Sequence, residues 1–363
     1  MEGRLNQLIQ KLKDNNLDSV FITSKENVFY FTNLYAEAHE RLIGAFVDQK
    51  GNSALIVPAL EKEDVKNAGW EGDTITYFDH ENPWTKLSRY IKDLGQPQTL
   101  AIEKEDLNVV RYETVIKELN GTDIVDGQLM LNELRLIKDQ KEMGILKEAA
   151  QFADFGIETA LKHIQEGKTE LEIIAEIEYA LKKEGIRNMS FDTTVLAGKK
   201  SAAPHGTPDL TPIQNGDFVL MDLGVVHKGY CSDITRTVVL GQASDQQKEI
   251  YNTVLQAEEK AIHASKVGTR LGDLDQIARQ VIEEAGYGEY FPHRIGHGLG
   301  INVHEFPSLA SNNDDVLKEG MSYTIEPGIY VPEIGGVRIE DDVFITSNGA
   351  TTLTEFMKEL LEL

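Results

Sequence analysis

Carboxylates stand in the middle of two strand-forming segments, and that placement restricts the fold more than any other feature of the chain. Gly216-Asp-Phe-Val-Leu-Met-Asp222-Leu-Gly224 reads as a strand, with Asp222 on the face of Phe218 and Leu220. After His227-Lys228-Gly229 the chain returns as Ser232-Asp233-Ile-Thr-Arg-Thr-Val-Val-Leu240. Folding about that turn sets Asp222 and Asp233 within a residue or two of being opposite. Like charges across a hairpin repel, and each buried ion costs several kcal/mol unless it is compensated.

The same anomaly recurs further on. Tyr323-Thr-Ile-Glu326-Pro-Gly328 ends a strand with an acid before a turn, and Gly336–Thr346 reads as one strand with Glu340, Asp341 and Asp342 at its centre. Acids are poor strand formers. Alternation predicts Arg338, Glu340 and Asp342 on one face and Asp341 on the other. A single acid of this kind is as readily a decoration on a wet sheet face. Four at interior positions of two equivalent hairpins weigh the other way. Asp222, Asp233, Glu326 and Glu340 carry four negative charges, which two divalent cations would balance, and that balance is the physical reason to expect a dimetal site. Between the hairpins, His293, His297 and His304 fall within twelve residues, beside glycines that permit close backbone approach. His205 lies in the loop Ala203-Pro-His-Gly206, just before the first hairpin. Tyr230 and Cys231, close to Asp233, read as packing residues more readily than as site residues.

The expected fold class is α+β, with a boundary near residues 130–137, taken as 1–132 and 133–363. The first part alternates short β-rich runs (Ser19–Thr23, Ala45–Asp48, Ala54–Val57, Thr74–Phe78, Thr99–Ile102) with helical patterns near 61–69, 84–94 and 107–120. Gln49-Lys50-Gly51-Asn52 reads as a hairpin turn. With no glycine-rich phosphate loop and no His–carboxylate cluster, it is expected to be a supporting α/β domain. The second part repeats a plan of helices followed by a hairpin. Thr169–Glu172 and Ser244–Gln247 are capping boxes opening helices, and Gly185 and Gly286 are stop signals.

Charge bounds the partners. The 363 residues carry a formal net charge of −24. It is shared as −8 over residues 1–130 and −16 over 131–363, so no basic arm exists to draw nucleic acid. The single cysteine excludes a disulfide framework and any CxxC site. No apolar run approaches the ~20 residues of a membrane helix. The chain is therefore expected in the cytoplasm, with neither nucleic-acid nor membrane partners.

Met221-Asp-Leu-Gly, Ser232-Asp-Ile-Thr-Arg, His293-Arg-Ile-Gly-His297-Gly-Leu-Gly, Thr324-Ile-Glu-Pro-Gly and Val337-Arg-Ile-Glu340-Asp-Asp, in this order, resemble the motifs of the pita-bread metallopeptidases. The layout of the first part resembles the N-terminal domain found in prolidase, aminopeptidase P and creatinase. The resemblance implies a pseudo-twofold catalytic domain with duplicated helix/hairpin halves. It implies that Asp222 binds one metal, that His297 with Glu326 binds the other, and that Asp233 and Glu340 bridge both. Mn²⁺ is implied first, with Co²⁺, Zn²⁺ or Fe²⁺ also compatible with the donors. A hydroxide shared by the metals would attack the scissile carbonyl. Glu326 would be the acid/base and His304 a donor to the oxyanion, with His205, His293, His304 and Arg338 lining the substrate site. Arg338 stays open between meeting the substrate carboxylate and bracing Glu340 by an ion pair. The implied activity is that of an Xaa-Pro dipeptidase (prolidase) acting on small proline-containing peptides, as a homodimer. An Xaa-Pro aminopeptidase acting on longer peptides is the alternative. A metal-free creatinase-type hydrolase or a non-catalytic peptide-binding module fits less well, since all five ligands and the histidines are present.

Overall fold

The alternating runs of the first third of the chain form one six-stranded mixed sheet. The structure, a computed structural model, describes residues 2–363. The chain divides into two compact units, one ending at Arg135 and the other spanning Leu136–Leu363. In the first unit the strand order is Asp73–Tyr77, Ser53–Pro58, Gly44–Asp48, Ser19–Ile22, Thr99–Ile102, Asp123–Asp126. The predicted turn at 49–52 joins two antiparallel neighbours. Asp48 Oδ1 accepts from the amides of Lys50 and Asn52, which ties the turn to its own strand. Phe21, Phe46, Ile56, Leu87 and Ile91 form the core beneath the helices.

The second unit is built from capped helices laid on broken hairpins. Asp139 with Glu142, Thr169 with Glu172 and Ser244 with Gln247 each satisfy amides reciprocally at a helix start. The helices Gln140–His163 and Glu170–Lys183 bury Ile157, Ile173, Ile177 and Leu181 against Val195, Met221 and Ile234. Those three residues lie on the sheet Thr194–Ala197, Phe218–Leu223, Ile234–Val239. The helices Asp245–Ala264 and Leu271–Glu284 bury Val254, Leu274 and Ala278 against Ile325 and Val343. These belong to the five-stranded sheet containing Ser322–Ile325 and Asp341–Thr346. The order of elements thus repeats: a helix pair, then the hairpin that it covers.

Both hairpins break where the acids stand. In the first, Phe218–Leu223 pairs with Ile234–Val239, and beyond Gly224 the chain changes sheet, with Val225–His227 pairing with Tyr230–Cys231. Lys228 and Gly229, both at positive φ, make the two-residue turn. In the second, Ser322–Ile325 pairs with Asp341–Thr346, and Gly328–Val331 with Gly335–Arg338. The expected continuous strand Gly336–Thr346 is therefore two strands, interrupted at Ile339 and Glu340. The cause is long-range: the Glu340 amide donates to Thr235 O at 3.1 Å and leaves its own ladder for the first hairpin. Glu340 consequently sits at the seam between the two sheets. The predicted alternation survives the break, since the Asp341 side chain pairs with Arg236 and Lys358 while the Glu340 side chain meets the Thr235 hydroxyl.

Gly224 makes the first break possible. A Cβ there would lie 1.9 Å from Ser232 O and 2.2 Å from Ser190 Oγ. Gly224→Ala should therefore push Ser232 and its neighbour Asp233 out of place and cost ~3 kcal/mol of stability, read by urea denaturation. A variant as stable as the parent would mean that the backbone yields there.

Candidate metal centre

Each predicted ligand is fixed by the backbone around it. Asp222 lies in the central strand of its sheet, paired with Thr194 on one side and Thr235 on the other. Asp233 precedes the returning strand, and its amide donates to Asp342 Oδ2 at 3.1 Å. The His297 amide donates to Thr324 Oγ1, and its ring Nδ1 lies 3.2 Å from Gly298 O. That contact places the ring proton on Nδ1 and leaves the Nε2 lone pair facing the acids. Nε2 lies 3.4 Å from Glu326 Oε1 and 3.8 Å from Asp233 Oδ2. Glu326 is held by its amide on Ile295 O, and Glu340 Oε2 accepts from Thr235 Oγ1 at 2.6 Å.

The ligand atoms of Asp233, His297 and Glu340 all lie within 4.8 Å of one another. Asp222 and Glu326 line the same cavity of about 550 Å³. The electrostatics describe a site short of positive charge. Burial, then the charges of Glu340 and Asp222, push Asp233 well above the usual carboxylate range. Burial, then Glu326 and Asp222, do the same to Glu340. Burial also raises Glu326 to about 7, against the opposing pull of Arg338. His297 is driven down to about 3 by burial and by His304, so its ring is neutral and its lone pair available. Asp222 Oδ1 and Asp233 Oδ1 are buried without a hydrogen-bond partner, an expensive state for acceptors. One imidazole and four carboxylates, two of them with an orphaned oxygen, are a donor set that fits divalent metal ions.

The remaining predicted residues gather around the same cavity. His205, His293, His304 and Arg338 all line it. The His304 ring meets the His297 ring edge-on at 4.1 Å, and burial lowers its pKa. His293 Nδ1 lies 2.8 Å from Arg294 O and Nε2 2.9 Å from Tyr330 OH, and burial takes it down to about 4. Arg338 Nη1 donates to Tyr330 OH at 2.9 Å, Nε donates to Thr235 Oγ1 at 3.0 Å, and Nη2 is ion-paired with Asp222. Arg338 therefore braces Asp222 directly and Glu340 only through the Thr235 hydroxyl, so of the two open readings the direct Glu340 ion pair is not formed. Tyr330 OH accepts from Arg338, so its own proton points at His293 Nε2.

Sequence reasoning missed Thr235, Tyr330 and Arg294 as parts of this site. Thr235 was discoverable, because alternation sets it on the face of Asp233. Tyr330 carried no signal beyond being an aromatic after a turn. Tyr230 donates to Glu142 Oε1 at 2.8 Å and Cys231 Sγ lies 3.2 Å from Ile301 O, and neither lines the cavity.

Residues 144–347 match metallopeptidase family M24, and residues 4–137 match the creatinase/prolidase N-terminal domain. The chain belongs to metallopeptidase family M24. It is 51% identical over 360 residues to a Bacillus subtilis (strain 168) protein named "Putative dipeptidase YkvY", covering 99% of each chain. An Xaa-Pro dipeptidase from Bacillus anthracis superposes with a TM-score of 0.93 at 36% identity, over 100% of this chain and 99% of that one. An X-Pro aminopeptidase from Thermotoga maritima MSB8 superposes with a TM-score of 0.88 at 29% identity, over 98% of this chain and 100% of that one. M24 chemistry uses divalent metal ions, and the donor set above suits them. Among the described residues, no helix is long and apolar enough to cross a membrane.

The raised carboxylates set a pH dependence. With Asp233, Glu326 and Glu340 held above their unfolded values, the metal-free native chain binds more protons than the unfolded chain from the ordinary carboxylate range up to about 7. Its stability contribution therefore falls as pH rises through that window. A divalent cation removes the repulsion that causes the fall. The gain in Tm on adding Mn²⁺ to EDTA-treated protein should thus be larger at about pH 7.5 than at about pH 5.5, read by differential scanning fluorimetry. An equal gain at both values would count against these carboxylates as ligands.

Proposed function

We propose that this chain is an Xaa-Pro dipeptidase with a dinuclear metal centre, residues 133–363 carrying the chemistry and residues 1–132 supporting it. The observation that carries the reading is the convergence of Asp222, Asp233, His297, Glu326 and Glu340 on one cavity, two of whose buried carboxylate oxygens lack partners. Asp222 would help hold one cation and His297 with Glu326 the other, with Asp233 and Glu340 contributing to both. Two divalent charges then balance four carboxylates. Mn²⁺ ranks first by family resemblance, and Co²⁺, Zn²⁺ and Fe²⁺ suit the same donors. Bound there, the cations would supply Lewis acidity toward the scissile carbonyl and acidify water at neutral pH.

The chain's own groups supply the rest. Glu326, facing the cavity beside His297, is assigned proton transfer to the leaving nitrogen. His304, kept neutral by burial, is assigned N–H donation to the carbonyl oxygen. His205, His293 and Arg338 form the wall that meets the substrate. Arg338 has the added task of fixing Asp222, and His293 that of fixing Tyr330. The leaving nitrogen of an Xaa-Pro bond has no N–H, and the ring holds φ near −65°, so the pocket must accept a rigid imide.

The similarity to dipeptidases over the whole chain supports this reading. Similarity to the Thermotoga aminopeptidase, also over nearly the whole chain, supports the second one, removal of the first residue from longer Xaa-Pro peptides. We further assign a homodimer, from the resemblance, and a cytoplasmic location, from the acidic composition and single cysteine.

Ala-Pro and Ala-Pro-Ala, each with Mn²⁺, separate the two readings by product chromatography. Cleavage of the dipeptide at least ~10-fold faster in kcat/KM is expected, a difference of about 1.4 kcal/mol in transition-state binding. Comparable rates move the assignment to the aminopeptidase. Asp233→Asn should lose both bound metal, by elemental analysis, and activity. Retention of two metals with full activity would refute the bridging role.

A further inference from the structure

Arg236 is buried and makes no contact with the cavity, yet it spends every donor it has at the seam between the hairpins. Its Nε donates to Met357 O at 3.1 Å, Nη1 to Thr235 O at 3.0 Å and Glu340 O at 2.6 Å, and Nη2 to Phe356 O and Asp341 Oδ1, both at 2.7 Å. A guanidinium has five N–H groups, and all five are used. Two of the acceptors are the carbonyls of Thr235 and Glu340, the residues whose backbones join the two sheets. A third is the carboxylate of Asp341, next in sequence to Glu340.

The other two acceptors belong to the C-terminal segment, which is itself pinned. Asp154 accepts from the amides of Glu355 and Phe356 at 2.8 and 3.0 Å. Tyr251 OH donates to Lys358 O at 2.7 Å, and the amides of Val239 and Gly241 donate to Leu361 O and Leu363 O. Lys358 Nζ lies 2.8 Å from Asp341 Oδ2 and 2.9 Å from Glu258 Oε1. Lys358 and Arg236 thus both meet the carboxylate of Asp341, and Lys358 ties it to Glu258. A well-packed hydrophobic group at residue 236 would avoid the desolvation of a buried guanidinium. It would not hold the Glu340 carbonyl, and it would not reach the tail. These tail residues lie beyond the M24 match, which ends at residue 347.

We propose that Arg236, clamped by the C-terminal segment 353–363, is a positioning residue that fixes Glu340 in the metal centre and makes the tail part of the site. The inference rests on the dimetal reading above, with Glu340 as a ligand. Groups behind a ligand set its orientation, and their loss typically weakens metal binding by ~10–100-fold.

The test measures Mn²⁺ binding by isothermal titration calorimetry on the full chain, alongside Tm, kcat and KM for Ala-Pro. Arg236→Lys keeps the charge but loses donors. Lys358→Met leaves Arg236 in place and removes the second partner of Asp341. Leu181→Ala, a buried truncation in the first-half helix pair, serves as a variant that loses stability without removing a donor or acceptor at the seam. Arg236→Lys is expected to bind Mn²⁺ ~10–100-fold more weakly and to lose kcat at saturating metal with little change in KM. Lys358→Met should move the same way by less, and it carries the test alone if Arg236→Lys does not fold. Leu181→Ala should lower Tm and keep the parent's Mn²⁺ affinity. Parent-like Mn²⁺ affinity and kcat in the seam variants, with only Tm lowered, would overturn the proposal and leave Arg236 a packing residue. A parent protein that binds no Mn²⁺ would instead overturn the dimetal reading itself.

Discussion

Repulsion among carboxylates packed at one seam is the constraint around which the catalytic unit is organised. Asp222 and Asp233 come from one hairpin, Glu326 and Glu340 from the other, and burial deprives them of the water that would otherwise screen them. An arrangement this unfavourable persists only where the surrounding fold over-determines it. Helix caps, the glycine contacts at the breaks, and the Thr235–Glu340 bridge each fix one piece of backbone so that the acids cannot drift apart. Arg338 offsets part of the charge through Asp222. The rest is left for cations, and for that reason the geometry reads as a metal centre and not as an ordinary ion-pair network.

The broken hairpins are the second half of the same design. A regular two-stranded ladder would send alternate side chains to opposite faces and could not aim acids from neighbouring positions into one cavity. Changing sheets at Gly224 and again at Ile339–Glu340 re-aims the backbone beside the proposed ligands. Equivalent breaks in both halves let each half contribute to a cavity that neither encloses alone. The neutral histidines follow from the same burial: the apolar surroundings that raise the acids lower His293, His297 and His304.

Local features were legible in the sequence, and long-range ones were not. The capping boxes at Thr169 and Ser244 are decided within four residues, so reading them needed no tertiary information. The opposition of Asp222 and Asp233 followed from a short turn. The convergence of Asp222, Asp233, His297, Glu326 and Glu340 on one cavity was suggested by charge balance and named by the motifs that contain them. The break at Glu340 was invisible, because its cause, Thr235 O, lies more than one hundred residues earlier. Arg338 was placed on the face of Glu340 with its partner left open, since alternation along its own strand says nothing of Asp222 across the seam. Tyr330 gave no warning, and Arg236, though it ends one of those motifs, gave no sign of its partners. An aromatic after a turn and an arginine in a strand are ordinary until the groups that meet them are known.

Gly296 shows where this leaves the chain's capacity to change. A Cβ at that position would come within 1.9 Å of Thr324 O, just as one at Gly224 would meet Ser232 O. Neither glycine offers a functional group, yet each sits against the backbone beside a ligand-bearing strand. Substitution at either would displace main chain beside a proposed ligand and lower turnover without removing any catalytic group. A mutational scan that reads only activity would rank these two positions with the ligands, and a map of the site drawn from such a scan would contain residues that perform no chemistry. Around this centre, intolerance to substitution measures how closely main chain approaches main chain.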